Sequence, residues 1–127
     1  MIDDVGILRT TITVESHTRR GETRDLPETM VDTGSEYTWV PRAVLESLEI
    51  GSERIEHFVT ADGRVIAREI GYAIVHAAGA RTSDAVVFAE AGDMTLLGAH
   101  TLEGMNLRVD LREKRLVPAG PVPAAVA

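Results

Sequence analysis

The residues of this chain best suited to chemistry lie between positions 31 and 41. They read Val31-Asp32-Thr33-Gly34-Ser35-Glu36-Tyr37-Thr38-Trp39-Val40-Pro41. An apolar residue leads into an aspartate, which is followed by a hydroxyl, a glycine and a second hydroxyl. Such a string holds a carboxylate among hydrogen-bond donors, where it can take up or give back a proton in a reaction. On its own, Asp-Thr-Gly-Ser is open to three readings: an ordinary turn, in which aspartate bonds its own backbone, a phosphate-gripping loop, or half of a two-carboxylate site. The motif occurs once, because Asp62-Gly63, Asp84-Ala85 and Asp93-Met94 lack the flanking pattern.

Other routes to chemistry are closed or weak. The chain has no cysteine, which excludes disulfides and thiolate metal sites. His17, His57, His76 and His100 are scattered without metal-ligand spacing, so they read as surface or partly buried neutral histidines, and neither metal nor cofactor is expected. The net charge of −7 argues against a nucleic-acid partner, which requires a basic face. Arg19, Arg20 and Arg24 form the closest basic cluster, but Glu22 and Asp25 interrupt it, and it reads as a solvated loop.

At 127 residues the chain is a single domain, with a core expected over about residues 6–117 and a tail over 118–127. Aromatic residues make up only 4%, so the core must be built from Val, Ile, Leu and Ala. The start, Met1-Ile2-Asp3-Asp4, has no apolar h-region and does not read as a signal peptide. No apolar run is long enough to span a bilayer. A cytoplasmic protein with no membrane partner is the expectation.

The elements that must position the loop are mostly strands. Gly6 to Glu15 is rich in β-branched residues and reads as a strand; Ser16 to Gly21 is a turn. Arg24 to Val31 reads as a returning strand, with Pro27 at an edge or a bulge. Asp32 to Ser35 is a tight loop and Tyr37 to Val40 a short strand. Pro41 to Leu48 reads as a helix with Pro41 in its first turn, Val44, Leu45 and Leu48 on one face, and Gly51 as the stop. Arg54 to Thr60 and Arg64 to Ile70 flank Ala61-Asp62-Gly63, a strong hairpin signal. Tyr72 to Ala77 continues as strand, Gly79 turns the chain, and Thr82 to Ala89 follows as another strand. Leu96-Leu97-Gly98 is short and apolar. His100 to Glu103 forms a helical turn ending at Gly104, and Leu107 to Leu111 with Arg115 to Val117 a last hairpin. The tail from Pro118 to Pro123 is expected not to continue a ladder. The sum is an all-β fold, a closed or partly open barrel with one or two short helices and one lobe per chain.

With those elements in order, the sequence resembles the single-domain, retropepsin-like branch of the aspartic peptidases. There an apolar-Asp-Thr-Gly loop is cradled by a downstream apolar-apolar-Gly strand, with a flap hairpin between them. The matching pieces are Val31-Asp32-Thr33-Gly34, the hairpin around Ala61-Asp62-Gly63, and Leu96-Leu97-Gly98. The resemblance covers roughly residues 6 to 117. The string through Trp39-Val40-Pro41 is also similar to the amino-terminal lobe of two-lobed, pepsin-type enzymes. Actin-like kinases and ATPases carry Asp-x-Gly-Ser too, but they need two large α/β domains.

The resemblance implies an acid-protease barrel and an aspartic endopeptidase. Two carboxylates about 3 Å apart share a proton; one activates a water and the other donates to the scissile carbonyl. A single motif then requires a homodimer with Asp32 of each copy at the twofold axis. The partners implied are a second copy and a peptide or protein substrate. Asp32 would be catalytic. Thr33 would brace the paired loops, and Gly34 would admit close backbone approach. Ser35 would donate to the carboxylate, giving a more acidic optimum than in a Ser35→Ala variant. Thr60, Ala61, Asp62, Gly63 and Arg64 would form the flap tip, and Ile55, Phe58, Val59, Ile66 and Leu97 are candidate pocket residues. The family's flaps are richer in Gly and Ile, and its arginine after apolar-apolar-Gly is replaced here by Ala99. Trp39 lacks a flap tyrosine to bond and reads as core packing. The alternative is a dimerisation or peptide-binding module on the same fold, with weak or no proteolysis.

Overall fold

A computed structural model describes residues 6–126; the acidic Met1–Asp4 segment and Ala127 lie outside the described residues. The chain runs through β1 (Arg9–Glu15), β2 (Thr23–Asp32), β3 (Thr38–Pro41), α1 (Arg42–Ser47), β4 (Arg54–Val59), β5 (Val65–Ala77), β6 (Ala80–Ala89), β7 (Leu96–Gly98), α2 (Ala99–Gly104), β8 (Leu107–Asp110) and β9 (Arg115–Pro118). The order β1-β2-β7-β3-β6-β5 closes on itself because β5 also pairs with β1. The result is an all-β fold, a closed six-stranded barrel with two short helices. Strand β4 extends the sheet beyond the barrel, and β8–β9 forms a separate hairpin. No helix among the described residues is long and apolar enough to cross a membrane.

Alternation along the strands fills the barrel. Ile12, Val14, Ala73, Val75, Val86, Val40, Leu97 and Phe88 point inward, and Leu45, Leu48 and Leu102 of the two helices join the same cluster. The core is therefore aliphatic, with Phe88 as its one fully buried ring. Two of the six closures are parallel: β2 with β7 and β3 with β6. Parallel pairing needs a crossover rather than a turn, and these crossovers bring the segment after β2 next to the end of β7.

Local chemistry explains several departures from the sequence reading. At Pro27 the β1–β2 register slips between Thr10↔Thr29 and Ile12↔Leu26. The extra residue is a bulge, with Glu28 at φ 55 and the Thr29 hydroxyl donating to the Leu26 carbonyl at 2.8 Å. Helix α1 does not stop at Gly51. Glu49 takes the left-handed conformation at φ 56, Glu49 N–H donates to Glu46 O at 2.9 Å, and Ile50 N–H donates to Leu45 O at 3.0 Å. Those are the two bonds of a Schellman cap. Pro41 is the N-cap of α1, not a residue of its first turn. Helix α2 does end at Gly104, as expected, and the chain turns out just beyond it at Asn106 (φ 54); a Cβ at Gly104 would lie 2.6 Å from the Thr82 hydroxyl. Pro118 belongs to β9, opposite Leu107, so the ladder runs one residue into the expected tail.

The hairpin between β4 and β5 follows its sequence signal. Thr60 N–H donates to Arg64 O and Gly63 N–H to Thr60 O, at 2.8 and 2.9 Å. With Gly63 at φ 85, this is a three-residue loop ending in a left-handed glycine. Asp62 accepts from Thr60 and from Arg64, and those bonds hold its carboxyl below the usual range.

Two ionic hubs fasten the strands. Arg42 bonds Glu90 and Glu69 and lies 4.9 Å from the Phe88 ring centre, joining α1 to β5 and β6. Glu15, nearly buried, accepts from Gly21 N–H at 2.8 Å, Arg20 Nε at 3.0 Å and His76 Nε2 at 2.8 Å. The Gly21 amide leads, followed by His76 and Arg20, in lowering the Glu15 carboxyl from 4.5 to about 2. A lowered folded-state value stabilises the fold above the unfolded value and loses that contribution as pH falls through the folded one. Glu15→Gln should therefore lower stability near neutral pH and flatten its fall between pH 4.5 and 2. Urea unfolding at about pH 7 and about pH 3 checks this; a variant as acid-sensitive as the parent removes Glu15 as the cause.

Candidate active site

The Asp32 loop is formed by backbone geometry. Ser35 N–H closes a turn onto Asp32 O at 3.2 Å, and Gly34 N–H donates to Asp32 Oδ1 at 2.9 Å. The carboxylate thus bonds the amide two residues on, as the motif's turn chemistry requires. A Cβ at Gly34 would lie 3.2 Å from that oxygen. Glycine here admits the close approach of backbone to carboxylate.

The downstream element lies beside the loop, as the family resemblance implies. Met30, Val31 and Asp32 pair in parallel with Leu96, Leu97 and Gly98, and all three β7 residues are buried. Beyond the ladder, Ala99 N–H donates to Ser35 O at 2.7 Å and His100 N–H to Glu36 O at 3.0 Å. Gly98 is irreplaceable on steric grounds: a Cβ there would stand 2.3 Å from the Tyr37 carbonyl oxygen and 2.9 Å from the Ser35 oxygen. Leu97 is fully buried in the barrel and does not face the groove as a pocket residue.

Ser35 departs from its expected role. Its hydroxyl donates to the Tyr37 carbonyl at 2.9 Å, and its one proton is thereby spent within the loop instead of on Asp32. Thr33 is exposed and its hydroxyl makes no bond among the described residues.

Behind the loop runs a buried relay that the motif did not reveal. Gly98 N–H donates to Thr38 Oγ1 at 2.9 Å, and the Thr38 and Thr101 hydroxyls are 2.6 Å apart. Thr101 Oγ1 donates to Asp84 Oδ2 at 2.9 Å. Because Thr101 gives its proton to Asp84, Thr38 must be the donor to Thr101. Both threonines are fully buried. His100 Nδ1 lies 2.9 Å from Asp84 Oδ1, and that bond and charge raise the His100 value. His100 is therefore an ion-pair partner, not the spectator expected, and His76 is bonded to Glu15.

Between the loop and the β4–β5 hairpin lies a groove of about 510 Å³. Gly34, Ser35 and Glu36 wall one side, and Glu56, Phe58, Thr60 and Ile66 the other, with Tyr37 and Trp39 between. Phe58 and Ile66 are cross-strand partners with their side chains toward the groove. Val59 reaches its margin but is 74% exposed. Ile55 is on the opposite face, opposite Glu69 in register and 61% exposed, so it lines no part of the groove. Side chains alternate along a strand, and the sequence did not fix which parity faced inward. Of the tip, only Thr60 lines the groove; Ala61, Asp62, Gly63 and Arg64 lie outside it. Trp39, half-buried, packs on Phe58 at 5.0 Å, and Phe58 meets Tyr37 edge-on at 5.6 Å. These rings bridge loop and hairpin. A second cavity, about 760 Å³, opens on the other side of Thr33 and Gly34, toward Asp84, His100, Arg54 and Tyr72.

No protein-family model matches this chain, and no curated protein matches it.

Gly98→Ala should force Tyr37 and the Asp32 loop apart and destabilise the fold by about 3 kcal/mol, as overpacking at a backbone contact does. Thermal unfolding measures this. A variant that melts with the parent and keeps the Ala99 amide protected from exchange would show that Gly98 does not fix the loop.

Proposed function

We propose that the protein is an aspartic endopeptidase, active as a homodimer that pairs two Asp32 loops across a twofold axis. The observation that carries this reading is the loop itself. An Asp32 carboxylate held by Gly34 N–H is backed by a parallel Gly98 strand and fronted by a groove under a hairpin. One such loop supplies one carboxylate, and the reaction needs two.

In the paired site one Asp32 is ionised and takes a proton from a water lying between the two carboxylates. The water attacks the scissile carbonyl carbon while the other Asp32, protonated, donates to its oxygen. Collapse of the tetrahedral intermediate returns a proton to the leaving amine. Thr33, exposed with a free hydroxyl, is available to brace the partner loop. An extended substrate would lie in the groove with alternate side chains toward Phe58 and Ile66.

Asp32→Asn should abolish cleavage of an unfolded protein substrate while leaving the fold and the dimer intact, read by peptide mapping and sedimentation. Cleavage surviving in pure Asp32→Asn protein, or a chain monomeric at every pH tested, sinks the reading. Because the Ser35 hydroxyl is spent on Tyr37, Ser35→Ala should leave the pH-rate profile in place and cost about 1 kcal/mol of stability. A profile displaced toward higher pH would put the hydroxyl back on the carboxylate.

A further inference from the structure

The chain has five aromatic residues, Trp39, Tyr37, Tyr72, Phe58 and Phe88. Three of them, Tyr37, Trp39 and Phe58, line one groove. A core short of rings would use them inside; here only Phe88 is fully buried. The same groove is lined by two carboxylates, Glu36 on the loop side and Glu56 on the hairpin side, and by one histidine, His57, with no lysine or arginine. Rings with negative faces beside carboxylates make a surface that attracts cations. The chain already uses part of it this way. The Arg54 guanidinium lies 6.0 Å from the Tyr37 ring centre and bonds both the Tyr37 hydroxyl and Glu56. That internal cation answers Glu56 from outside the groove. Glu36 is exposed and has no basic side chain within ion-pair distance among the described residues.

We infer that the groove selects a cationic residue, lysine or arginine, in an extended peptide. Its alkyl stem lies on Phe58, Trp39 and Ile66, and its charged head reaches Glu36, with Glu56 completing the acidic wall. A basic side chain suits such a site because its stem is apolar and its head needs neither burial nor loss of charge. The volume, about 510 Å³, accommodates one such side chain with its flanking backbone. The net charge of −7 works in the same direction, concentrating basic peptides near the surface. The inference rests on the groove serving the proposed peptidase site, and it assigns that site a substrate class.

Trp39 is the only tryptophan, so its emission reports occupancy without any need for cleavage. The full chain carrying Asp32→Asn is titrated with capped hexapeptides of alanine and valine bearing a central lysine, norleucine or glutamate. The lysine peptide should shift Trp39 emission with a Kd about tenfold below the norleucine peptide, and the glutamate peptide should bind weakest. The preference should shrink as salt rises, because exposed charges are screened. Glu36→Gln combined with Glu56→Gln should bring lysine and norleucine within about twofold of each other. Equal affinity for lysine and norleucine, or no emission change with any peptide, overturns the inference. Lysine-selective binding by a parent protein that cuts none of these peptides and no unfolded protein would overturn the peptidase reading and leave the groove's selectivity standing.

Discussion

The site depends on one close approach, the packing of the Gly98 backbone against the Tyr37 and Ser35 carbonyls. No side chain fits at position 98, so no other residue lets β7 slide beneath the loop. Once it is there, the parallel ladder from Met30↔Leu96 to Asp32↔Gly98 sets the height of Asp32. The amides that follow, Ala99 and His100, then take up the Ser35 and Glu36 carbonyls. A loop that would otherwise leave these carbonyls to water becomes part of the barrel wall. Its conformation is inherited from a six-stranded closure, which makes it hard to deform without opening the sheet.

The buried relay behind the loop has the same logic. Thr38 sits on β3 and Thr101 on α2, and Asp84 on β6 ends the chain of bonds. Each member is paired, and no buried side-chain polar atom among the described residues is left without a partner. A fully satisfied network in an apolar interior rigidifies what it touches, and a half-satisfied one is costly. The relay touches Gly98 through its N–H. The Asp84 carboxylate, far from the loop in sequence, thereby helps hold the strand on which Asp32 rests.

Much of this was legible in the sequence because it is written in local chemistry. Gly63 after Asp62 specified the hairpin, Pro27 an edge or a bulge, of which the structure has the bulge, and the spacing of Val44, Leu45 and Leu48 the buried face of α1. The order of loop, hairpin and Leu96-Leu97-Gly98 specified which elements meet. Features that depend on pairing at a distance were not legible. Whether Ile55 or Phe58 faces the groove turns on a one-residue register that strand composition does not encode. The family resemblance implies a bond from Ser35 to the carboxylate; the competing acceptor, Tyr37 O, exists only once the chain bends at residue 36. The Thr38–Thr101 contact spans 63 positions and carries no pattern that spacing could detect. Glu49 takes the left-handed conformation two places ahead of Gly51, where it closes the cap of α1 and lets Ile50 enter the core.

Aromatic placement follows from the same constraint. A small barrel whose strands close through Ala73, Ala77 and several valines has little interior room for rings. Phe88 fits inside because Gly71 opposes it, where a Cβ would come within 2.9 Å of the ring. Tyr37, Trp39 and Phe58 lie instead in the groove between the loop and the hairpin that extends past the barrel's rim. There they perform two tasks at once. Their mutual packing fixes the hairpin over the loop without a flap-tip contact, since Ala61–Gly63 do not reach the groove. They also line the groove itself. The closure that makes the Asp32 loop rigid also decides what surrounds it, so the catalytic and selective properties proposed for this chain share a single structural origin.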